Sequence, residues 1–319
     1  MSRFSATTTG PEVVNAFREQ VNGKTFAITG PSAKSLGAET AIALAAANPK
    51  QIILLGRSES KIKPVMEQIN GINPTVDVRF YQLDLADLDS VRSAAEKINA
   101  GIDKIDVLIN YAGIMAVKDF ETSKEGIEIH LAANHIGHFL LTNLLMPKLE
   151  AASPGARIIN VSSIGYMLSE FRFDDWNFQD GKSYIPWLGY AQSKTANIHF
   201  TVGLAARLKK KGIYSFSLHP GLIYGTNLGV HLDEESLKVL TEIALERGFP
   251  TLEDQRPKSS SEGCATALVA ALDDSLEGKS GAYLSDCVID NPREYARDSD
   301  NAEKLWLLSE ELIGQKFSY

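Results

Sequence analysis

The sequence predicts an α/β fold, a doubly wound parallel sheet of about seven strands with helices on both faces. Three observations lead there. Short apolar runs alternate with amphipathic stretches along most of the 319 residues, the pattern of strand–helix–strand units joined by right-handed crossovers. Glycine, serine and Asn-Pro breaks punctuate those runs where such a chain must turn. Hydrophobic residues make up 44% and charged residues 23%, a globular balance with apolar content for a large core. The whole chain, 1–319, is expected to form a single domain.

Each element has a local reason. Residues 1–22 read as an arm and a helix, because Gly10 and Pro11 precede Val14, Phe17 and Val21 at helical spacing. KTFAITG (24–30) is a short apolar run ending in glycine, the first strand. The alanine-rich 38–48 is helical, and Asn48-Pro49 stops it. QIILLG (51–56) is the second strand, and 58–70 the next helix, with Pro64 most easily tolerated in its first turn. VDVRFYQLDL (76–85) is the third strand, 88–100 a helix and 105–113 the fourth strand. Residues 126–149 are a long helix or a helix pair, and 156–163 the fifth strand. A long helix over 190–210 leads to the sixth strand, 213–221; a helix over 261–273 leads to the seventh, 281–287. Two long irregular segments, 164–189 and 222–260, could cover a pocket.

Charge and composition narrow the function. Lys plus Arg number 32 and Asp plus Glu 40, so the net charge is −8. That argues against a nucleic-acid partner, which calls for a basic face. Two cysteines, Cys264 and Cys287, exclude a disulfide framework and a cysteine-rich zinc site. No apolar stretch approaches the length of a membrane span, and the N-terminus lacks the apolar core of a secretory signal, so a cytoplasmic protein is expected. His130, His135, His138, His199, His219 and His231 do not form a ligand set by spacing, and no metal is expected. Cys264 sits in an alanine-rich stretch and reads as a small core residue, whereas Cys287 could face the pocket.

In open parallel sheets ligands bind beyond the carboxyl ends of the strands. After the first strand, Thr29 to Thr40 forms a glycine-containing turn opening a helix, an anion site suited to pyrophosphate. Ser162 and Ser163 end the fifth strand. Tyr190 and Lys194 are i and i+4, so on a helix they share a face. An adjacent ammonium favours phenolate and would lower the tyrosine pKa, and a nearby serine hydroxyl could hold a carbonyl oxygen while the tyrosine donates a proton.

Taken in order, these pieces resemble the short-chain dehydrogenase/reductase family over about residues 22–290. The resemblance rests on the glycine-rich turn, Asp84-Leu85, Ala112-Gly113, Asn134, Ser163, YAQSK with Tyr190 and Lys194, and Pro220-Gly221. ANHIGHFLL and the 27-residue spacing from Ser163 to Tyr190 look most like the branch holding the retinol dehydrogenases, the WW-domain oxidoreductase and their fungal relatives. The resemblance implies a Rossmann-type fold and hydride transfer between a nicotinamide cofactor and a carbonyl or alcohol. It implies that Ser163 polarises the carbonyl and that Tyr190 is the general acid or base. Lys194 would tune Tyr190 and bind the nicotinamide ribose, and Asn134 would hold a water of the proton relay. Cofactor contacts would come from Gly30, Ser32, Lys34, Leu36, Gly37, Arg57, Asp84, Leu85, Asn110, Ala112, Gly113, Tyr190, Lys194, Pro220, Gly221, Ile223 and Thr226, with Asp84 alternatively a turn or cap residue.

The cofactor is expected to be NADP(H). The second strand ends Leu54-Leu55-Gly56-Arg57-Ser58 with no carboxylate at its tip, where an NAD enzyme of this fold places an acid for the ribose hydroxyls. Arg57 could grip a 2′-phosphate, with Ser32, Lys34 and Ser58 adding donors, while Glu59 starts the next helix. The substrate is expected to be a fairly large apolar carbonyl or alcohol, such as a secondary metabolite or lipid aldehyde. Met115, Tyr166, Met167, Trp187, Leu222 and Tyr224 would stand near the mouth. The aromatic run Phe171, Phe173, Trp176, Phe178, Tyr184 and Trp187 either forms a lid or packs an insertion against the domain. A homodimer or tetramer is compatible with the resemblance. Two other readings stay open: a non-redox catalyst on the same fold, and a non-catalytic cofactor-binding module. Three departures from the family pattern bear on cofactor geometry: Lys34-Ser35 in place of the middle glycine, Tyr111 in place of asparagine, and Thr226 one residue late.

Overall fold

The computed structural model describes residues 3–229 and 232–319. Among the described residues ten strands form in chain order: β1 (Thr25–Thr29), β2 (Gln51–Gly56), β3 (Asp77–Gln82), β4 (Val107–Asn110), β5 (Arg157–Val161), β6 (Tyr214–His219), β7 (Leu222–Ile223), β8 (Pro257–Lys258), β9 (Tyr283–Ser285) and β10 (Val288–Asp290). Eight of them make one sheet in the order β10-β9-β6-β5-β4-β1-β2-β3. Every neighbouring pair is parallel except β9 and β10. β1, β2, β4 and β5 are buried along almost their whole length, as strands covered on both faces must be. Strand order reverses between β1 and β4, which opens a crevice at their carboxyl ends.

Two apolar layers sandwich the sheet. On one face, helices Leu36–Ala45, Glu59–Ile72 and Ala265–Leu272 bury Leu44, Ile62, Val65 and Leu268 against Phe26, Ile52 and Phe216. On the other, helices Leu88–Gly101, Gly137–Leu144, Pro186–Leu208 and Ser299–Ile313 bury Val91, Phe139, Phe200 and Trp306 against Ala27, Leu108 and Ile158. Helix Leu88–Gly101 is placed by Asp87, whose side chain accepts from Asp89 and Ser90 N–H.

The eighth strand was not expected. Val288–Asp290 is exposed along its length and lacks the apolar run that marks the other strands, so its pairing comes from the hairpin at Asp286-Cys287, both in the left-handed region (φ 51° and 65°). Pro64 lies in the second turn of helix Glu59–Ile72, not the first. The helix expected over 126–149 begins at Ile129 and ends at Leu144, and a separate short helix, Met146–Glu150, follows. Between Ile129 and Gly137 it carries a π-helical turn, Ala132–Ile136, which holds Asn134. Such turns recur at functional sites.

Candidate active site

The carboxyl ends of β1, β4, β5 and β6 bring together residues spread over most of the chain. Tyr190 and Lys194 stand one turn apart in helix Pro186–Leu208, both 3% exposed. The Lys194 ammonium lies 5.7 Å from the Tyr190 ring centroid and donates to Val161 O at 3.1 Å. Ser163 caps the turn Ile164–Leu168, its Oγ accepting from Gly165 N–H at 3.1 Å. A Cβ on Gly165 would stand 3.1 Å from Tyr190 Cε1 and 3.4 Å from Ser163 Oγ, so glycine lets the serine and tyrosine meet. Burial pushes the Tyr190 phenol up to about 12, partly opposed by its hydrogen bond to Ser163. The same burial pulls Lys194 down to about 8. The expected depression of Tyr190 is therefore not what this arrangement produces, because desolvation dominates. Ser162 donates to Lys194 O at 2.8 Å and braces the helix.

Asn134 pins the loop after β4. Its Oδ1 accepts from Ile114 N–H at 2.8 Å, and its Nδ2 donates to Ile114 O at 3.0 Å and to Ser193 Oγ at 2.9 Å. A Cβ on Gly113 would come within 3.0 Å of Asn134 Oδ1 and 3.4 Å of Lys194 Nζ. The Asn134 carbonyl faces His138 Nδ1 at 3.0 Å, and His138 Nε2 faces Thr29 Oγ1 at 2.9 Å. A carbonyl only accepts, so Nδ1 carries the hydrogen, Nε2 accepts from Thr29, and Thr29 accepts from Ala112 N–H. Burial, with Lys194 nearby, drives His138 down to about 4 and keeps it neutral. This chain ties β1, the Ala112-Gly113 turn and Asn134 together. Sequence reasoning missed His138, although its i+4 offset from Asn134 was a usable signal.

The crevice beside this cluster fits a dinucleotide. Gly30 has φ 70°, and a Cβ there would lie 2.9 Å from Ala112 Cα. Gly37 would meet Gly30 O at 3.1 Å and Thr29 O at 3.2 Å. Ser35 caps helix Leu36–Ala45, accepting from Ala38 N–H and donating to Gly30 O, while the N–H groups of Leu36 and Gly37 have no helical acceptor and suit a phosphate. Lys34 takes the glycine's place in the left-handed region at φ 67°. Gly30 N–H donates to Leu55 O and Ala33 N–H to Lys61 O, which ties the turn to the end of β2, where Arg57 is exposed. Ser58 precedes the helix that Glu59 starts. Tyr111, in place of asparagine, hydrogen-bonds Thr40 at 2.8 Å and props helix Leu36–Ala45. Gly263 lets Ile223 and Leu36 close on each other, since a Cβ there would lie 2.9 Å from each. Gly221 (φ 101°) rests on the Lys258 stem, Pro220 precedes it, and Thr226 follows in the half-exposed segment.

Other expectations need correction. The Asn110 amide does not face the crevice: it donates to Thr142 Oγ1 and Asn160 Oδ1 inside the sheet layer. Asp84 Oδ1 accepts from Ala86 N–H, a turn bond compatible with either expected role. Leu85 meets Gly137 so closely that a Cβ there would lie 2.2 Å from Leu85 O. Tyr166 is fully buried, not at the mouth: it packs against Tyr283 and Tyr295, and its hydroxyl accepts from Arg293 N–H. Met167 packs in the same cluster. Tyr224 is 64% exposed and Leu222 lies in β7. Phe171, Phe173 and Trp176 pack into the layer beneath helix Pro186–Leu208, so the run is mostly a packed insertion. Trp187 is the exception. It meets the Tyr190 ring edge-on at 6.2 Å and donates to Ser236 O. Helix Glu234–Glu246 thereby seats on the face that carries Tyr190, and Leu240 and Ala244 join Ala116, Leu168, Trp187 and Tyr190 in one apolar cluster with Met115 against it. Cys287 is buried against Thr266 rather than facing the crevice. The described histidines are all bonded within the fold, and His231 lies outside the described residues. Among the described residues no helix is long and apolar enough to cross a membrane.

Comparison with known proteins bears on the family and the fold. The family model described as short chain dehydrogenase matches residues 24–173. Retinol dehydrogenase 12 of Mus musculus is 36% identical over 295 residues, covering 92% of this chain and 88% of that protein. Short-chain dehydrogenase/reductase prx1 of Penicillium roqueforti is 36% identical over 310 residues, covering 92% and 86%. The crystal structure of an uncharacterized protein from Mycobacterium Paratuberculosis superposes with a TM-score of 0.70 at 30% identity, covering 93% of this chain and 96% of that one.

Proposed function

Since the chain belongs to the short-chain dehydrogenase/reductase family, oxidoreductases of alcohol and carbonyl groups, we propose that it reduces a large apolar carbonyl with NADPH, or reverses that reaction with NADP. The observation that carries the reading is the convergence of Ser163, Tyr190, Lys194 and Asn134 beside a phosphate-compatible turn. When bound, NADPH would supply the hydride for the carbonyl carbon. Ser163 Oγ–H donates to the carbonyl oxygen and holds it against the phenol. Tyr190 Oη gives that oxygen its proton, and a phenol held near 12 stays protonated at neutral pH, as a donor must. Lys194 places positive charge behind the phenolate that forms and reaches toward the ribose. Asn134 fixes the loop that carries Gly113 and Ile114 against Lys194.

Arg57, with Ser32, Lys34 and Ser58 around it, would take the 2′-phosphate of NADP(H). An apolar substrate is favoured by the cluster of Met115, Leu168, Trp187 and Leu240 against Tyr190. The name of the Mus musculus relative, a retinol dehydrogenase, is in keeping with a large apolar alcohol. The test is a panel of aldehydes and ketones (retinal, decanal, benzaldehyde, acetophenone and polyketide-type diketones) with NADPH and NADH in turn, read by loss of reduced nicotinamide absorbance. Turnover with NADPH that disappears in Tyr190→Phe is expected. Turnover that survives that substitution, or tighter binding of NADH than of NADPH, refutes the corresponding part.

A further inference from the structure

Behind Tyr190 lies a fully buried pair that the chemistry above does not use. Glu128 and His130 are both 0% exposed, with His130 Nδ1 2.6 Å from Glu128 Oε1. The Glu128 carboxyl group also accepts from the backbone N–H of His130 and Leu131, so it caps the start of the helix that carries Asn134. The other ring nitrogen, His130 Nε2, accepts from Val117 N–H at 3.2 Å. With Nε2 accepting, Nδ1 bears the hydrogen and donates to Glu128. Tyr184 completes the arrangement. Its hydroxyl donates to Val117 O at 2.7 Å, and its ring stacks on His130 at 6.4 Å. Val117 is thus gripped on both its N–H and its carbonyl.

That grip falls at the far end of the loop that floors the site. The loop leaves β4, passes Lys194 at Gly113, is pinned by Asn134 at Ile114, and sends Met115 toward the covering segment at Gly229. Ala116 packs with Tyr190, Trp187 and Leu240 and stands in the left-handed region at φ 49°. An alanine holds that conformation only where its surroundings impose it. The surroundings here are the two pins, one on each side. The geometry points to His130, supported by Glu128, and Tyr184 as positioning residues that hold the loop 113–117, and so Met115, in the shape that seats the carbonyl substrate. Packing adds to the argument. Gly189, just before Tyr190, would bring a Cβ within 3.0 Å of Tyr184 and 3.1 Å of both Glu128 and His130, so the clamp abuts the helix turn that carries the catalytic tyrosine.

The inference rests on the carbonyl reductase reading for its effect on substrate, but not for its effect on the loop. Tyr184→Phe removes one hydroxyl, and His130→Leu removes the acceptor for Val117. In either variant the Val117 amide, followed by hydrogen exchange in the cofactor-free protein, is expected to exchange about tenfold faster or more. With the panel carbonyl turned over best, Tyr184→Phe, which leaves the His130 ring against Tyr190 in place, raises KM about tenfold while kcat and the NADPH dissociation constant change less than about twofold. Strain at Ala116 gives a second handle. In an Ala116→Gly background the loop reaches the same shape without the clamp, so the KM effect of Tyr184→Phe shrinks, a coupling that loss of general stability would not produce. If His130→Leu does not fold, Tyr184→Phe carries the test alone. Unchanged Val117 exchange overturns the clamp, as does a KM effect that is the same with alanine or glycine at 116. A wild-type protein that turns over no carbonyl while its Val117 amide behaves as described overturns the reductase reading and leaves the clamp standing.

Discussion

Gly165→Ala tests how closely the serine and tyrosine must meet. Gly165 lies outside the left-handed region, so alanine costs its backbone nothing. The added methyl is the whole perturbation. It would sit 3.1 Å from Tyr190 Cε1 and 3.4 Å from both Tyr190 Cδ1 and Ser163 Oγ. Carbon atoms prefer about 3.5–4.0 Å, so the tyrosine ring must retreat by roughly half an ångström. It has little room, because Trp187 and His130 meet its other sides edge-on at 6.2 and 6.3 Å. A displacement of about 1 Å at a reacting group can cost on the order of a hundredfold in rate. About ten- to thirtyfold in kcat is therefore expected, with about 1 kcal/mol of stability lost to overpacking. The atoms nearest the added methyl belong to Tyr190 and Ser163 and not to the turn after β1, so the NADPH dissociation constant should hold. The assay is steady-state reduction of the best panel carbonyl, with cofactor titration by nicotinamide fluorescence and a urea melt. A kcat within twofold of wild type would show that Ser163 and Tyr190 do not work as a pair.

Further outcomes follow from the same structure. Tyr190→Phe should lower kcat by about 10²–10⁴ while fold and cofactor binding persist, checked by circular dichroism and fluorescence titration. Arg57→Ala should weaken NADPH about ten- to a hundredfold and NADH little, since a charge-assisted contact is worth roughly 1.5–3 kcal/mol; equal losses for both cofactors would remove Arg57 from the phosphate. Burial lowers His135 to about 3 and His138 and His219 to about 4, from 6.5. Each folded-state value is depressed, so the unfolded chain binds these protons first and stability falls as pH drops from 6.5 toward 4, by about 3 kcal/mol per histidine at pH 4. Urea midpoints that stay level from pH 6.5 to 4.5 would contradict that. Backbone exchange in helix Glu234–Glu246 should slow when a carbonyl and oxidised cofactor are bound together, because that helix seats on Trp187 through Ser236; no change would mean it does not cover the substrate.

Much of this protein is legible in its residues alone, and for a local reason. The side-chain period separates strand from helix, so β1, β2 and the long helix through Tyr190 appear directly in the pattern. An i, i+4 offset on a helix brings two side chains to one face whatever surrounds them, which is why the sequence alone pairs Tyr190 with Lys194. Glycines carry similar information: Gly30, Gly37 and Gly113 mark places where backbone or a charged side chain passes within about van der Waals contact.

The tertiary structure decided what depends on distant partners. Tyr166 follows Ser163 by three residues, which predicts a place at the mouth, yet Arg293 and Tyr295, more than 120 residues away, draw it inward. The aromatics of 164–189 could not be sorted by spacing because the segment has no period; packing beneath helix Pro186–Leu208 took most of them, and Trp187 turned to Tyr190. Asn110 carries the residue type of a binding group, but its in-register neighbour Asn160 on β5 claims the amide. The pKa of Tyr190 was also a tertiary matter. A neighbouring ammonium argues for a lower value, and only the depth of burial under helix Glu234–Glu246 shows that desolvation outweighs it. Local geometry follows from backbone sterics that each short segment carries with it. Orientation, partnership and solvation arise from contacts whose members meet only after the chain has closed on itself.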